Sequence, residues 1–102
     1  MSAVVGQAVL YTVSEQDADQ INKRRADFAT YYKSHPGYED TGYVAHYGNE
    51  VKVGDVFPAF VVRVFSVGSV NLHVLLDGSD TFWATSVDEG VGPRTWASNH
   101  RI

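Results

Sequence analysis

The sequence contains no cysteine and no long apolar run. Without cysteine the chain forms no disulfide, offers no thiolate to zinc and has no cysteine nucleophile, although this is compatible with any cellular compartment. No stretch approaches the roughly 18 apolar residues of a membrane-spanning helix. The first residues also lack the charged segment and apolar block of a signal peptide. We therefore expect a soluble protein with no membrane partner.

Basic residues are also few: 8 Lys and Arg stand against 12 Asp and Glu, which gives a net charge of -4. General nucleic-acid binders carry a basic surplus, so we expect no nucleic-acid partner. The hydrophobic content of 44% is that of a folded globular protein. A chain of 102 residues holds a modest core without cross-links. We expect one domain over residues 1–102.

The clearest structural pattern lies in residues 53–87. Val70, Leu72, Val74 and Leu76 fall on one side of an extended chain, and Asn71, His73 and Asp77 fall on the other, which is the period of a half-buried strand. Residues 77–80 read as a turn and residues 81–87 as the returning strand of a hairpin. Residues 57–67 are apolar on nearly both faces, which is typical of a central strand. Three consecutive short strands predict a meander, the core of a small barrel.

The N-terminal part predicts a strand followed by a helix. Residues 1–13 hold a short edge strand, and Ser14 is a helix N-cap with Asp17 three residues later. The helix is predicted over residues 15–33, because its apolar residues recur along one stripe. Arg25 occupies a position where that stripe would take another apolar residue. The helix should stop at His35-Pro36-Gly37.

The remaining segments are less regular. Residues 38–49 suggest an ordered loop or an irregular strand, and residues 51–55 lead into the barrel. Residues 88–96 contain glycines and a proline that deny them a long regular element. Trp96 is expected to plug the core or close the barrel end. Residues 97–102 form a polar tail that frays unless a partner holds it.

These elements predict an α+β fold. We expect a small antiparallel β-barrel, SH3-like or OB-like, with one amphipathic N-terminal helix over about residues 15–33 packed on it. Both barrel types begin with similar meanders, so the strand order stays open.

The residues that carry chemistry form no recognisable catalytic pattern. The four histidines are His35, His46, His73 and His100. They lack metal-ligand spacing, so we expect no metal and no cofactor. No nucleophile elbow or phosphate-binding glycine loop occurs, so we assign no catalytic residue.

Acidic residues offer one candidate site. Asp77, Asp80, Asp88 and Glu89 are expected to crowd at one end of the barrel, where they would bind a cation or share a proton. The more ordinary interpretation is that these aspartates bond nearby backbone amides in turns.

Aromatic residues give the strongest indication of a partner. A small barrel cannot bury two tryptophans, six tyrosines and five phenylalanines completely. Interfaces use aromatics and arginine as anchors. The basic residues 23–25 are either part of such a contact or a solvated helix face. The predicted partner-binding residues are Arg24, Arg25, Tyr31, Tyr32, Tyr43, Tyr47, Trp83 and Trp96.

Several stretches carry a resemblance. The C-terminal half contains V-N-L-x-V-x-x-D-G at residues 70–78, T-S-V at 85–87 and G-x-x-T-W at 92–96. Together with residues 9–14 and 54–64, these resemble small, mostly uncharacterised proteins encoded by tailed bacteriophages, especially those of actinobacteria. Such proteins often end in a tryptophan-histidine-tryptophan-proline-like run, whereas here Trp96 is followed by Ala-Ser-Asn.

The resemblance implies a phage or prophage origin and no particular reaction. We expect a non-enzymatic virion accessory protein, a capsid decoration or minor structural protein. Its partners would be phage capsid or tail proteins and further copies of itself, in the virion or otherwise in the host cytoplasm. One alternative is a host-takeover or anti-defence protein that binds and blocks a bacterial factor. Another is a small hydrolase or ligand-binding enzyme that uses the acidic barrel end.

Overall fold

The computed structural model of this chain describes residues 3–34 and 48–98. The elements are β1 (Ala8–Thr12), α1 (Glu15–Ser34), β2 (Val56–Ser66), β3 (Ser69–Leu75), β4 (Thr81–Glu89) and β5 (Thr95–Ser98). The strands close into a barrel in the order β1-β2-β3-β4-β5, and β5 pairs with β1. The prediction of a small α+β barrel with a helix is confirmed.

One pair of strands departs from the predicted antiparallel arrangement. β4 and β5 run parallel, with Asp88 beside Thr95 and Glu89 beside Trp96. The reason is geometric, because an odd number of strands cannot alternate direction all the way round a closed ring. The prediction of a wholly antiparallel barrel is therefore wrong at this closing pair.

Alternate residues of the strands fill the barrel. In β3, Val70, Leu72 and Val74 are fully buried, whereas His73 and Leu75 are exposed. In β4, the inward positions change phase after Ala84 because a bulge follows it. Ser86 takes a left-handed conformation there with φ of 53°. The Ser86 N–H donates to the Asn71 Oδ1 atom at 2.8 Å, which gives the side-chain oxygen of the buried Asn71 a hydrogen-bond partner.

Trp96 fills the barrel interior where β5 meets β4. The side chain is fully buried, and its Nε1 donates to the Gly68 carbonyl oxygen at 2.8 Å. Gly68 turns the chain between β2 and β3 with a φ of 80°, a conformation that suits glycine. Trp96 therefore ties the C-terminal strand to the β2–β3 turn.

The helix begins as its cap predicts. The Ser14 Oγ atom accepts from the Asp17 N–H at 3.1 Å, and the Asp17 Oδ2 atom accepts from the Ser14 N–H at 3.2 Å. This reciprocal pair satisfies two free N–H groups at the helix start. α1 ends at Ser34, one residue beyond the predicted end. The predicted stop at His35-Pro36-Gly37 and residues 38–47 of the predicted loop or irregular strand lie outside the described residues.

Both termini differ from the predicted elements. β1 begins at Ala8 rather than near Ala3, because Gly6 turns the chain with a φ of 92°. Its N–H donates to the Val61 carbonyl at 2.7 Å. At the other end, Ala97 and Ser98 belong to β5 and pair with β1, so the predicted tail does not begin at residue 97.

Candidate protein-interaction surface

A row of large side chains crosses three strands on the outside of the barrel. In the sheet register, Phe60 of β2 pairs with His73 of β3, and His73 pairs with Trp83 of β4. Directly opposed residues on one face of a sheet lie side by side. Trp83 keeps 62% of its surface exposed and Phe60 keeps 44%, and His73 is also exposed. The row therefore presents two aromatic rings and an imidazole to solvent.

More uncharged residues flank this row on the same face. Leu75 is two residues after His73 in β3 and is exposed on the same face of the sheet. The alternate residues 56, 58, 60 and 62 of β2 are also exposed on this face. We call this surface the outer aromatic face, and its members are Val56, Pro58, Phe60, Val62, His73, Leu75 and Trp83. None of them is Asp, Glu, Lys or Arg. A contiguous apolar patch of this kind is typical of an interaction site.

The outward side chains of β2 are mostly apolar although they are exposed, which is why residues 57–67 are apolar on nearly both faces. β2 lies between β1 and β3, as a central strand should. Its inward residues Ala59 and Val61 are buried, but its outward residues are exposed. Within residues 3–34 and 48–98, no second layer covers them. Their apolar character therefore has no role in the barrel core.

A charged residue marks the border of the outer aromatic face. After a shift in register beyond Val61, Arg63 pairs with Asn71. The Arg63 guanidinium lies 5.2 Å from the centre of the Phe65 ring, a cation–π distance. Phe65 is 52% exposed. The end of β2 therefore adds an aromatic residue with a positive charge beside it.

The residues predicted to bind a partner divide between surface and core. Trp83 is exposed, and the Arg24 side chain is 35% exposed. Trp96 is fully buried and Arg25 is 8% exposed, so neither offers surface to a partner. Trp96 is buried because it fills the closing end of the barrel, and Arg25 because it pairs with a buried carboxylate.

The predicted tyrosines lie at or beyond the limit of the described structure. Tyr31 and Tyr32 belong to the last turns of α1, and their side chains are outside the described part. Tyr43 and Tyr47 fall in residues 35–47, also outside it.

The Arg25 guanidinium forms a two-point ion pair with Asp80. Nε donates to the Asp80 Oδ2 atom at 3.1 Å and Nη2 to Oδ1 at 2.8 Å. Arg24 approaches the same carboxylate at 3.4 Å and donates to the Thr81 carbonyl at 2.8 Å. Burial raises the pKa of Asp80, but the hydrogen bond and charge of Arg25, with Arg24, bring that pKa below its ordinary value.

The segment at residues 48–49 closes over this ion pair. Arg25 also donates to the Asn49 carbonyl, and the Asn49 amide donates to the Asp77 Oδ2 atom at 2.7 Å. A Cβ atom at Gly48 would lie 2.5 Å from the Arg25 Nη2 atom, so glycine is required by this close approach. The ion pair is consequently enclosed on the side of this segment.

The predicted acidic cluster is not assembled. Asp77 and Asp80 precede β4, whereas Asp88 and Glu89 form its far end. They are held apart because β4 is an extended strand, which rises about 3.3 Å per residue. Among the described residues, no group of three or more His, Asp or Glu side chains could hold a metal ion. The acidic barrel end considered for an enzyme is therefore not formed by these four residues.

A second buried polar cluster joins β1, α1 and the chain before β5. The Tyr11 hydroxyl donates to the Asp17 carboxylate. Arg94 Nη1 lies 3.3 Å from the Tyr11 hydroxyl oxygen, and Nη2 donates to the Thr85 carbonyl at 2.7 Å. Burial, then the hydrogen bond and charge of Asp17, raise the pKa of Tyr11 well above its ordinary value. The hydroxyl therefore keeps its proton and acts as a structural donor.

Comparison with protein-family models, curated proteins and solved structures gives no match to this chain. Within the described residues, α1 lacks the apolar length that crossing a membrane requires.

Proposed function

We propose that this protein is a non-enzymatic phage virion accessory protein, either a capsid decoration or a minor structural protein. It acts by protein–protein contact through the outer aromatic face. The observation that carries the proposal is the uncharged, solvent-exposed surface that contains Trp83. Tryptophan is among the residues most enriched at binding hot spots. The phage origin is supported by the sequence resemblance, and the expected partners are capsid or tail proteins.

We also propose that the barrel is SH3-like rather than OB-like. Hydrogen-bonded neighbours follow the order of the chain from β1 to β5. An OB-fold is a Greek-key barrel in which strand neighbours do not all follow chain order. This arrangement leaves the meander β2-β3-β4 as one continuous outer surface, which is where the outer aromatic face lies.

The proposal is tested by mass spectrometry of gradient-purified particles of the phage that encodes the chain, beside the cytoplasm of infected cells. We expect the chain in the particles at many copies per virion. Detection only in the cytoplasm would overturn the virion role. It would instead favour the protein that blocks a bacterial factor, and a pull-down from host cells would then identify that factor.

A further inference from the structure

We infer that the outer aromatic face binds a second copy of this chain, in a two-fold symmetric pair with His73 at the axis. The inference rests on the proposed function in one respect, because it takes the same face as the contact surface. It adds the identity of one partner and the arrangement of the contact.

The row across the face is self-complementary. Phe60 and Trp83 each lie one strand away from His73, on opposite sides of it, and neighbouring strands are about 4.8 Å apart. A two-fold axis through His73 and parallel to β3 exchanges the two sides of the row. Phe60 of one copy then meets Trp83 of the other, twice. Aromatic rings of this kind pack well in offset or edge-to-face contacts.

The absence of charged residues from the outer aromatic face also favours a second copy as the partner. The chain carries a net charge of -4, so most of its surface should repel an identical molecule. The outer aromatic face contains no Asp, Glu, Lys or Arg and can meet itself without that repulsion. A strongly charged partner would find no complementary charge on it. Contact of one patch with its own copy is the commonest arrangement in soluble oligomers.

The size of the face sets the strength of the pair. A stable interface takes about 20–30 residues and ~800 Å² from each partner. The outer aromatic face has seven members, which is well below that requirement. We therefore expect a dissociation constant weaker than about 1 µM. Such a pair forms where copies are concentrated, as they are in a repeated assembly.

Analytical ultracentrifugation of the full chain over a range of concentrations up to ~1 mM tests this inference. The key variant is Trp83→Lys, and the matched control is Val91→Lys, which introduces the same charge at a fully exposed residue outside the face. We expect wild type and Val91→Lys to dimerise alike, and Trp83→Lys to bind at least ~100-fold more weakly. Circular dichroism confirms that each variant remains folded.

A second comparison tests the axis. His73→Lys places a charged side chain of each copy at the axis among apolar groups and should weaken the dimer at least as much as Trp83→Lys does. A wild-type chain that stays monomeric, or a Trp83→Lys variant that dimerises like wild type, overturns the inference. A His73→Lys variant that dimerises like wild type removes His73 from the axis. If the chain is monomeric in solution but abundant in virions, self-pairing is wrong and the virion role stands, because the virion role is tested by the protein content of the particles.

Discussion

Arg25 and Asp80 join the helix to the barrel through an ion pair that is almost closed to water. Their side chains are 9% and 1% exposed, and their closest atoms are 2.8 Å apart. The two residues come from α1 and from the turn before β4, 55 positions apart. Buried ion pairs of this kind seldom add much net stability, but losing one partner is costly because the other charge is left unpaired.

Replacing Asp80 with asparagine should therefore destabilise the protein strongly. Asp80→Asn keeps the size of the side chain but leaves the buried Arg25 charge uncompensated, and we expect a loss of about 3–5 kcal/mol in the free energy of unfolding. Urea unfolding measures the change. Lys23→Ala is the control, because Lys23 and Asp27 lie 2.7 Å apart but are 77% and 65% exposed. It should have little effect, and equal losses in both variants would contradict this account.

The same ion pair predicts how stability depends on pH. Burial raises the pKa of Asp80, but the hydrogen bond and charge of Arg25, together with Arg24, outweigh burial and lower that pKa in the folded protein. Its contribution is therefore complete above the unfolded pKa and is lost as the pH falls through the folded pKa. We expect the difference in unfolding free energy between wild type and Asp80→Asn to shrink below about pH 4. A difference that stays constant down to about pH 2 would show that the folded protein does not stabilise the ionised form of Asp80.

Tyr11→Phe tests the second polar cluster. The variant removes the donor to the buried Asp17 carboxylate, and we expect a loss of about 1–3 kcal/mol. Because the pKa of Tyr11 is raised, its contribution is present below its unfolded pKa of about 10 and is lost as the pH rises. Absorbance of phenolate at high pH should show that wild type has one more tyrosine that ionises only on unfolding than Tyr11→Phe has. Equal numbers in the two proteins would exclude Tyr11 as such a residue.

The two tryptophans should behave oppositely. Acrylamide should quench the fluorescence of Trp83, which is 62% exposed, but hardly that of Trp96, which is fully buried. Trp96→Phe removes the indole that bonds the Gly68 carbonyl and should cost about 1–3 kcal/mol. Trp83→Phe should leave stability nearly unchanged and should abolish most quenching. Similar quenching in both single-tryptophan variants would place Trp96 nearer the surface than described.

Local sequence patterns predicted much of the fold. Ser14 and Asp17 predicted the start of α1 because a cap needs only neighbours in sequence. The alternation at residues 70–76 predicted β3 for the same reason. β5 was harder to predict because it has four residues next to a glycine-rich segment. Its parallel pairing with β4 follows from closure of the barrel. Closure depends on residues that are distant in sequence, so a local sequence pattern cannot predict it.

The site was less predictable than the fold. Trp83 was identified, but Phe60, His73 and Leu75 become neighbours only through pairing between strands. The even positions of residues 56–62 were the available signal, because a small barrel buries one face of each strand and this strand is apolar on both. Arg25 likewise stood out in an apolar stripe, yet nothing near it in sequence pointed to Asp80.

The central claim, that the outer aromatic face is the contact surface of a virion protein, is tested most directly by particle content. Phages that encode wild type, Trp83→Lys or Val91→Lys would be purified on gradients, and the copies of the chain per particle counted by mass spectrometry. The account predicts equal incorporation of wild type and Val91→Lys and loss of most Trp83→Lys from the particles. Full incorporation of a folded Trp83→Lys chain would contradict it.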